Sequence, residues 1–367
     1  MRRARFLAIP LAVLTLAACT TTQGTARAPS ANRTEAPDRR PALFYAKDGK
    51  LYVSDPAGTP GRKLTDGPID TQPSPAPDGK RVAFIRQSDG TEPGGELWVL
   101  DVASGAARRL VDPAGLTPRF GADDPQVDSP RWSPSGDRIA FLKSTQVGGG
   151  FLQTAAADTG AVAAPPKPMF AVRDYAWSPD GRQIAWVSGR SDVRPNDVNV
   201  YAVGGSSVPV VTDANAFAAA FADDGSVLFA NGQVDMPPSP DANFVLRQGG
   251  IYSVTPPAKP QPLLSGPEFY KDVAALASGA VGFTEASADP RSQSSVRTVR
   301  VLDKGDTTPR TVGETTGLAQ GPVWAGDLVA YIGTDEERPL LIGPTESGGN
   351  AVTDEVDAGV DSFAWAG

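Results

Sequence analysis

The sequence contains no histidine. That absence removes Ser-His-Asp and Cys-His nucleophile systems, histidine general bases and histidine metal sites in one step. There is a single cysteine, so neither an intramolecular disulfide nor a cysteine-based zinc site can form. No apolar run reaches membrane-spanning length. The longest, Phe6 to Leu16, is 11 residues and is broken by Pro10. Long helices are also disfavoured, because 39 Gly and 35 Pro are spread along all 367 residues. Hydrophobic residues make up 40%, enough for a globular core. Frequent punctuation with ample apolar content predicts an all-β chain of short strands and tight turns.

The charge is uneven. The whole chain carries −8, but residues 41–367 hold 27 basic and 40 acidic residues, a net −13. An acidic body repels polyphosphate, so nucleic acid is excluded as a partner. The N-terminus is basic, with Arg2, Arg3 and Arg5 ahead of the apolar run. The run ends in Leu16-Ala17-Ala18-Cys19. This string resembles the lipobox of bacterial lipoproteins. The resemblance implies a signal peptide over 1–18, cleavage before Cys19, and acyl chains (diacylglyceryl, palmitate) on that cysteine. Residues 19–40 lack apolar periodicity and read as a flexible tether behind the lipidated Cys19. The expected address is the extracytoplasmic face of a bacterial cell membrane, held through the lipid anchor alone.

Internal repetition organises the rest, 41–367, as a single domain. The segments QPSPAPDG (72–79), SPRWSPSG (129–136), DYAWSPDG (174–181), AAAFADDG (218–225), DVAALASG (272–279), GPVWAG (321–326) and DSFAWAG (361–367) align on their glycines. The first six are followed by β-type runs such as Arg138-Ile139-Ala140-Phe141-Leu142. A third and a weaker fourth run complete each unit. Four short antiparallel strands every ~40–45 residues predict the blades of a β-propeller. Trp132-Ser133-Pro134-Ser135-Gly136 and Trp177-Ser178-Pro179-Asp180-Gly181 resemble the TolB-type propeller repeat, which is itself WD-repeat-like. The TolB family also carries an α/β domain ahead of a six-bladed ring. Here a short tether leads straight into strands, and there are seven anchors.

The first unit, 42–66, supplies three strands and lacks the inner one. The last, Asp361–Gly367, supplies an inner strand with nothing after it. The C-terminal strand is therefore predicted to join the N-terminal blade, closing a seven-bladed ring. The anchor aromatics Trp132, Trp177, Phe221, Trp324 and Trp365 are predicted to pack between blades, and Asp78, Asp180 and Asp224 to serve turns.

Two groups are candidate sites. Asp70, Asp128, Asp174, Asp272 and Asp361 precede inner strands and would ring the channel mouth, attracting cations or basic peptides. Long segments at 87–95, 112–127, 189–196, 231–249 and 286–295 would share that face. Of these, Arg119, Phe120, Met236, Phe244 and Arg247 are interface-type residues. The leading expectation is a monomeric, non-enzymatic, membrane-anchored scaffold that binds an envelope protein or peptide, with no cofactor and no metal. The alternatives are a lactonase-type hydrolase with a metal in the channel, or a small-molecule or glycan receptor.

Overall fold

The computed structural model describes residues 40–88, 95–116, 126–144, 150–169, 171–189, 196–235, 245–276, 278–286, 296–316, 320–346 and 354–366. Their strands form seven four-stranded antiparallel sheets. The only helical element among them is a 3-10 turn, Pro113–Gly115. We number the sheets as blades 1 to 7 and name the strands of each inner, second, third and outer.

The inner strands of blades 2 to 7 are Ile69–Pro75, Gln126–Trp132, Val172–Trp177, Ala216–Phe221, Phe269–Ala275 and Val323–Ala325. Blade 1 is composite. Its inner strand is Val360–Trp365, its second strand Leu43–Lys47, and its outer pair Lys50–Ser54 and Arg62–Lys63. Leu43 pairs with Trp365 and Tyr45 with Phe363, so the two ends of the chain meet in one sheet, as the sequence predicts. Across the blade 7 to blade 1 seam, Tyr45 and Lys47 both donate to Asp357, at 2.9 and 2.6 Å.

The inner-to-second hairpins turn on the repeat glycines. Gly181, for example, takes φ +68°, a left-handed conformation open to glycine at no steric cost. The aspartates before these glycines accept backbone N–H bonds within the turn. Asp78 takes Lys80 at 3.0 Å, Asp180 takes Arg182 at 3.0 Å, and Asp224 takes Ser226 at 2.9 Å. This is the turn chemistry their sequence context implies.

Seven apolar clusters hold the ring, one at each junction between successive blades. At one station in every blade an inner-strand residue pairs with an apolar second-strand residue that packs at the junction with the preceding blade. The occupants in blades 1 to 7 are Trp365, Pro75, Trp132, Trp177, Phe221, Ala275 and Trp324. The large ones reach back onto the preceding blade. Trp177 Nε1 donates to the Arg131 carbonyl at 3.0 Å, and Trp365 Nε1 donates to that of Val323 at 3.1 Å. Trp132 sits beneath the Arg81 guanidinium, 4.7 Å from the ring centroid.

Candidate functional site

The inner strands line the channel, and their polar groups bind one another across blade boundaries. Phe363 of blade 1 donates its amide hydrogen to Gln320 of blade 7 at 3.0 Å. Gln72 of blade 2 donates to Ser362 of blade 1 at 2.9 Å, and Ser129 of blade 3 donates to Gln72 at 2.6 Å. Ala219 of blade 5 donates to Asp174 of blade 4 at 3.2 Å. Gln72 and Ser129 lie in β-bulges with φ near +50°, where one amide leaves the ladder. A side chain from the preceding blade accepts it, so a belt of staples runs around the channel wall.

The five mouth candidates belong to different parts of this wall. Asp128 and Asp174 share a ladder station, opposite Leu142 and Val187. Asp70 pairs one step further along, with Arg86, while Asp272 and Asp361 fall at irregularities in the ladder. Asp70 is completely buried and takes a two-pronged bond from Arg86, at 2.6 and 2.8 Å. That guanidinium also stacks on Trp98, 4.4 Å from the ring centroid, and Asp70 raises its pKa further. Asp174 pairs with Arg131 at 2.9 Å and bridges three blades. Asp272 accepts from the Thr284 hydroxyl at 2.6 Å and stands 3.5 Å from Arg297.

Asp128 accepts from the Ser144 hydroxyl. Burial pushes its carboxyl above the usual range, and a bond from Ser129 only partly offsets this. Asp361 is exposed as a residue, yet burial of its carboxyl and the nearby Asp48 push it up against the pull of Arg338. Three of the five acids thus face arginines, and the other two resist ionisation. Among the described residues no three Asp, Glu or Cys come together as a metal-holding group. Composition showed the acids, but the arginines that meet them lie one or two strands or one blade away, and no local spacing marks that pairing.

Cys19, Arg119, Phe120, Met236 and Phe244 lie outside the described residues, as does the Arg247 side chain. The described ends of the 231–249 segment, 231–235 and 245–249, are strand rather than loop. The second strand of blade 5 runs Val227–Asp235 and the third Val245–Val254. Their ladder continues through Gly232↔Gly249 and Gln233↔Gln248 to Asp235↔Val245. The inner strand pairs only as far as Asn231, and the outer strand only as far as Gly249. Residues 233–235 and 245–248 therefore form a two-stranded ribbon with neither edge paired among the described residues. At ~3.3 Å per residue it outreaches the blade by roughly 10 Å. It emerges where the inner strands begin, the end that carries the other long connections. Among the described residues no helix is long and apolar enough to cross a membrane.

No protein-family model matches the sequence. Solved structures establish a TolB-type propeller fold. The TolB of Acinetobacter baumannii superposes with a TM-score of 0.50 at 16% identity, over 89% of this chain and 66% of its own. A Mycobacterium tuberculosis puromycin-hydrolyzing peptidase gives 0.60 at 18% identity, over 85% of this chain and 49% of its own. An oligogalacturonate lyase from Vibrio parahaemolyticus gives 0.55 at 11% identity, over 86% of each chain. The chain thus spans less than two thirds of the TolB protein and about half of the peptidase. Shared architecture at such identities defines a fold and leaves the activity to the site.

Proposed function

We propose that this protein is a non-enzymatic binding scaffold, tethered by lipid at Cys19 to the outer face of the cell membrane, that captures a protein or peptide of the envelope. The observation that carries this reading is the blade 5 ribbon. It projects from the ring with both edges unpaired among the described residues, and such edges pair readily with an extended segment of another chain. The channel wall supports the same reading from the other side. Asp70, Asp174 and Asp272 are engaged with arginines or neighbouring blades, which leaves little for acid–base or metal chemistry.

The test is in-cell crosslinking of two forms, the full chain and a variant in which 233–247 is replaced by an Asn-Gly turn. A defined envelope partner should crosslink to the first and not to the second. A partner retained at full yield by the shortened form would remove the ribbon from the interface. Lipid tethering is tested separately. Cys19→Ala should lose its lipid by mass spectrometry and leave the membrane fraction, and a lipidated, membrane-bound variant would refute the anchor.

A further inference from the structure

The Trp-bearing station has one small occupant, Ala275 of blade 6. Blades 1, 3, 4 and 7 place an indole there, blade 5 places Phe221 and blade 2 places Pro75. The surface covered on the preceding blade is matched in size. Trp324 lies over Gly282, and the clusters that hold Trp132, Trp177, Phe221 and Trp365 contain Ala83, Ala140, Ala185 and Ala330. Opposite Ala275 the preceding blade carries Leu228 instead. Leucine does not replace an indole, and a cleft of about 570 Å³ remains between blades 5 and 6. It opens among the inner-to-second turns, the face opposite the ribbon.

The floor is apolar, built from Leu228, Val281 and Leu302, each nearly buried in the cluster that joins blades 5 and 6. Four aspartates line the rim, Asp223, Asp224, Asp303 and Asp306, against the single cation Lys304. Asp303 is held by Arg310 at 2.9 Å, while Asp223 and Asp306 are exposed. The Ser226 side chain and amide hold Asp224 below its usual range, with help from Lys304, so it is charged at neutral pH.

We infer that this cleft is a docking site for a peptide that inserts an aromatic side chain where the ring lacks its own indole, with lysine or arginine beside it to meet the aspartate rim. The volume lies within the range of formed ligand pockets and exceeds one indole, leaving room for the flanking residues. The acidic rim selects the charge of those flanks, and the apolar floor demands the aromatic. The site lies on the other face from the blade 5 ribbon and does not depend on the scaffold reading.

The experiment is calorimetric titration of the intact chain with the end-blocked tripeptide Lys-Trp-Lys, with Lys-Ala-Lys and Glu-Trp-Glu as controls. Lys-Trp-Lys should bind saturably at one site, and both controls at least about tenfold more weakly. Ala275→Trp supplies the missing indole. It should keep or raise the melting temperature and weaken Lys-Trp-Lys binding at least about tenfold. Ala275→Phe, copying blade 5, serves if the larger residue fails to fold. The Asp223→Asn/Asp306→Asn pair changes only exposed charge and should flatten the salt dependence of binding. Absence of saturable binding, equal binding of Glu-Trp-Glu, or unchanged affinity in a folded Ala275 variant would each overturn the proposal.

Discussion

Trp324 of blade 7 covers Gly282 of blade 6 so closely that a Cβ on that glycine would stand 2.6 Å from the indole. The pair shows how adjacent blades fit: the residue that caps is large where the residue beneath it is small. Gly282→Ala should therefore cost about 1–3 kcal/mol through overpacking, read from urea denaturation. A neutral result would mean that the indole can shift freely and that the junction is loosely packed.

Arg86 and Asp70 form the most enclosed ion pair of the channel wall. Removing one partner leaves a buried charge without compensation. Arg86→Met should destabilise the ring by about 3–5 kcal/mol, and Asp70→Asn in the same chain should restore much of the loss. Equal stability of the single and double variants would show that Asp70 finds another partner.

The composite blade depends on Phe363, which is 1% exposed against the blade 7 junction. Phe363→Ala should cost about 3–5 kcal/mol, and deletion of 361–366 should lower the cooperative melting of the whole domain. A truncated chain that melts like the full one would show that the ring does not rely on this strand.

Two carboxylates should give opposite pH responses. Asp357 is raised by burial, but the Lys47 and Tyr45 donors outweigh this and hold it below its usual range. Its stabilising contribution is complete above the unfolded pKa of about 3.9 and disappears as pH falls through the lower folded value. Asp128 is shifted upward, so its burial penalty is absent in acid and develops as pH rises from about 3.9 to the folded value. Asp357→Asn should be less stable than the parent at pH 7, and Asp128→Asn more stable. Both should converge on the parent in acid. Thermal melts across pH 3 to 8 check this, and parallel curves would contradict it.

The ring was legible because its signals are local and repeated. Each glycine turn and the Trp or Phe two or four residues before it sit in one short string, and the incomplete first and last units announce their own pairing. The site was less legible. The sequence pattern puts Asp70, Asp128, Asp174, Asp272 and Asp361 just ahead of the inner strands, but all five lie within them, where bulges shift the ladder by a residue and give them different neighbours. The Gln72, Ser362 and Gln320 staples were missed because they have no shared residue type, only a shared position. The vacancy at Ala275 did have a visible signal, the one full-length repeat that reads Ala-Leu-Ala-Ser-Gly where the others carry Trp, Phe or Pro.

Leu43 and Trp365 are neighbours in one ladder although about 320 residues separate them along the chain. Joining points that far apart carries a loop-closure cost on the order of 5 kcal/mol, whereas every other blade zips from adjacent segments. Blades 2 to 7 can assemble in chain order, each against the last, and blade 1 can form only when both ends arrive. The closing sheet is then the latest step in folding. It is also the sheet whose strands would peel apart first, starting at the Leu43–Trp365 pair, if the two ends were drawn apart.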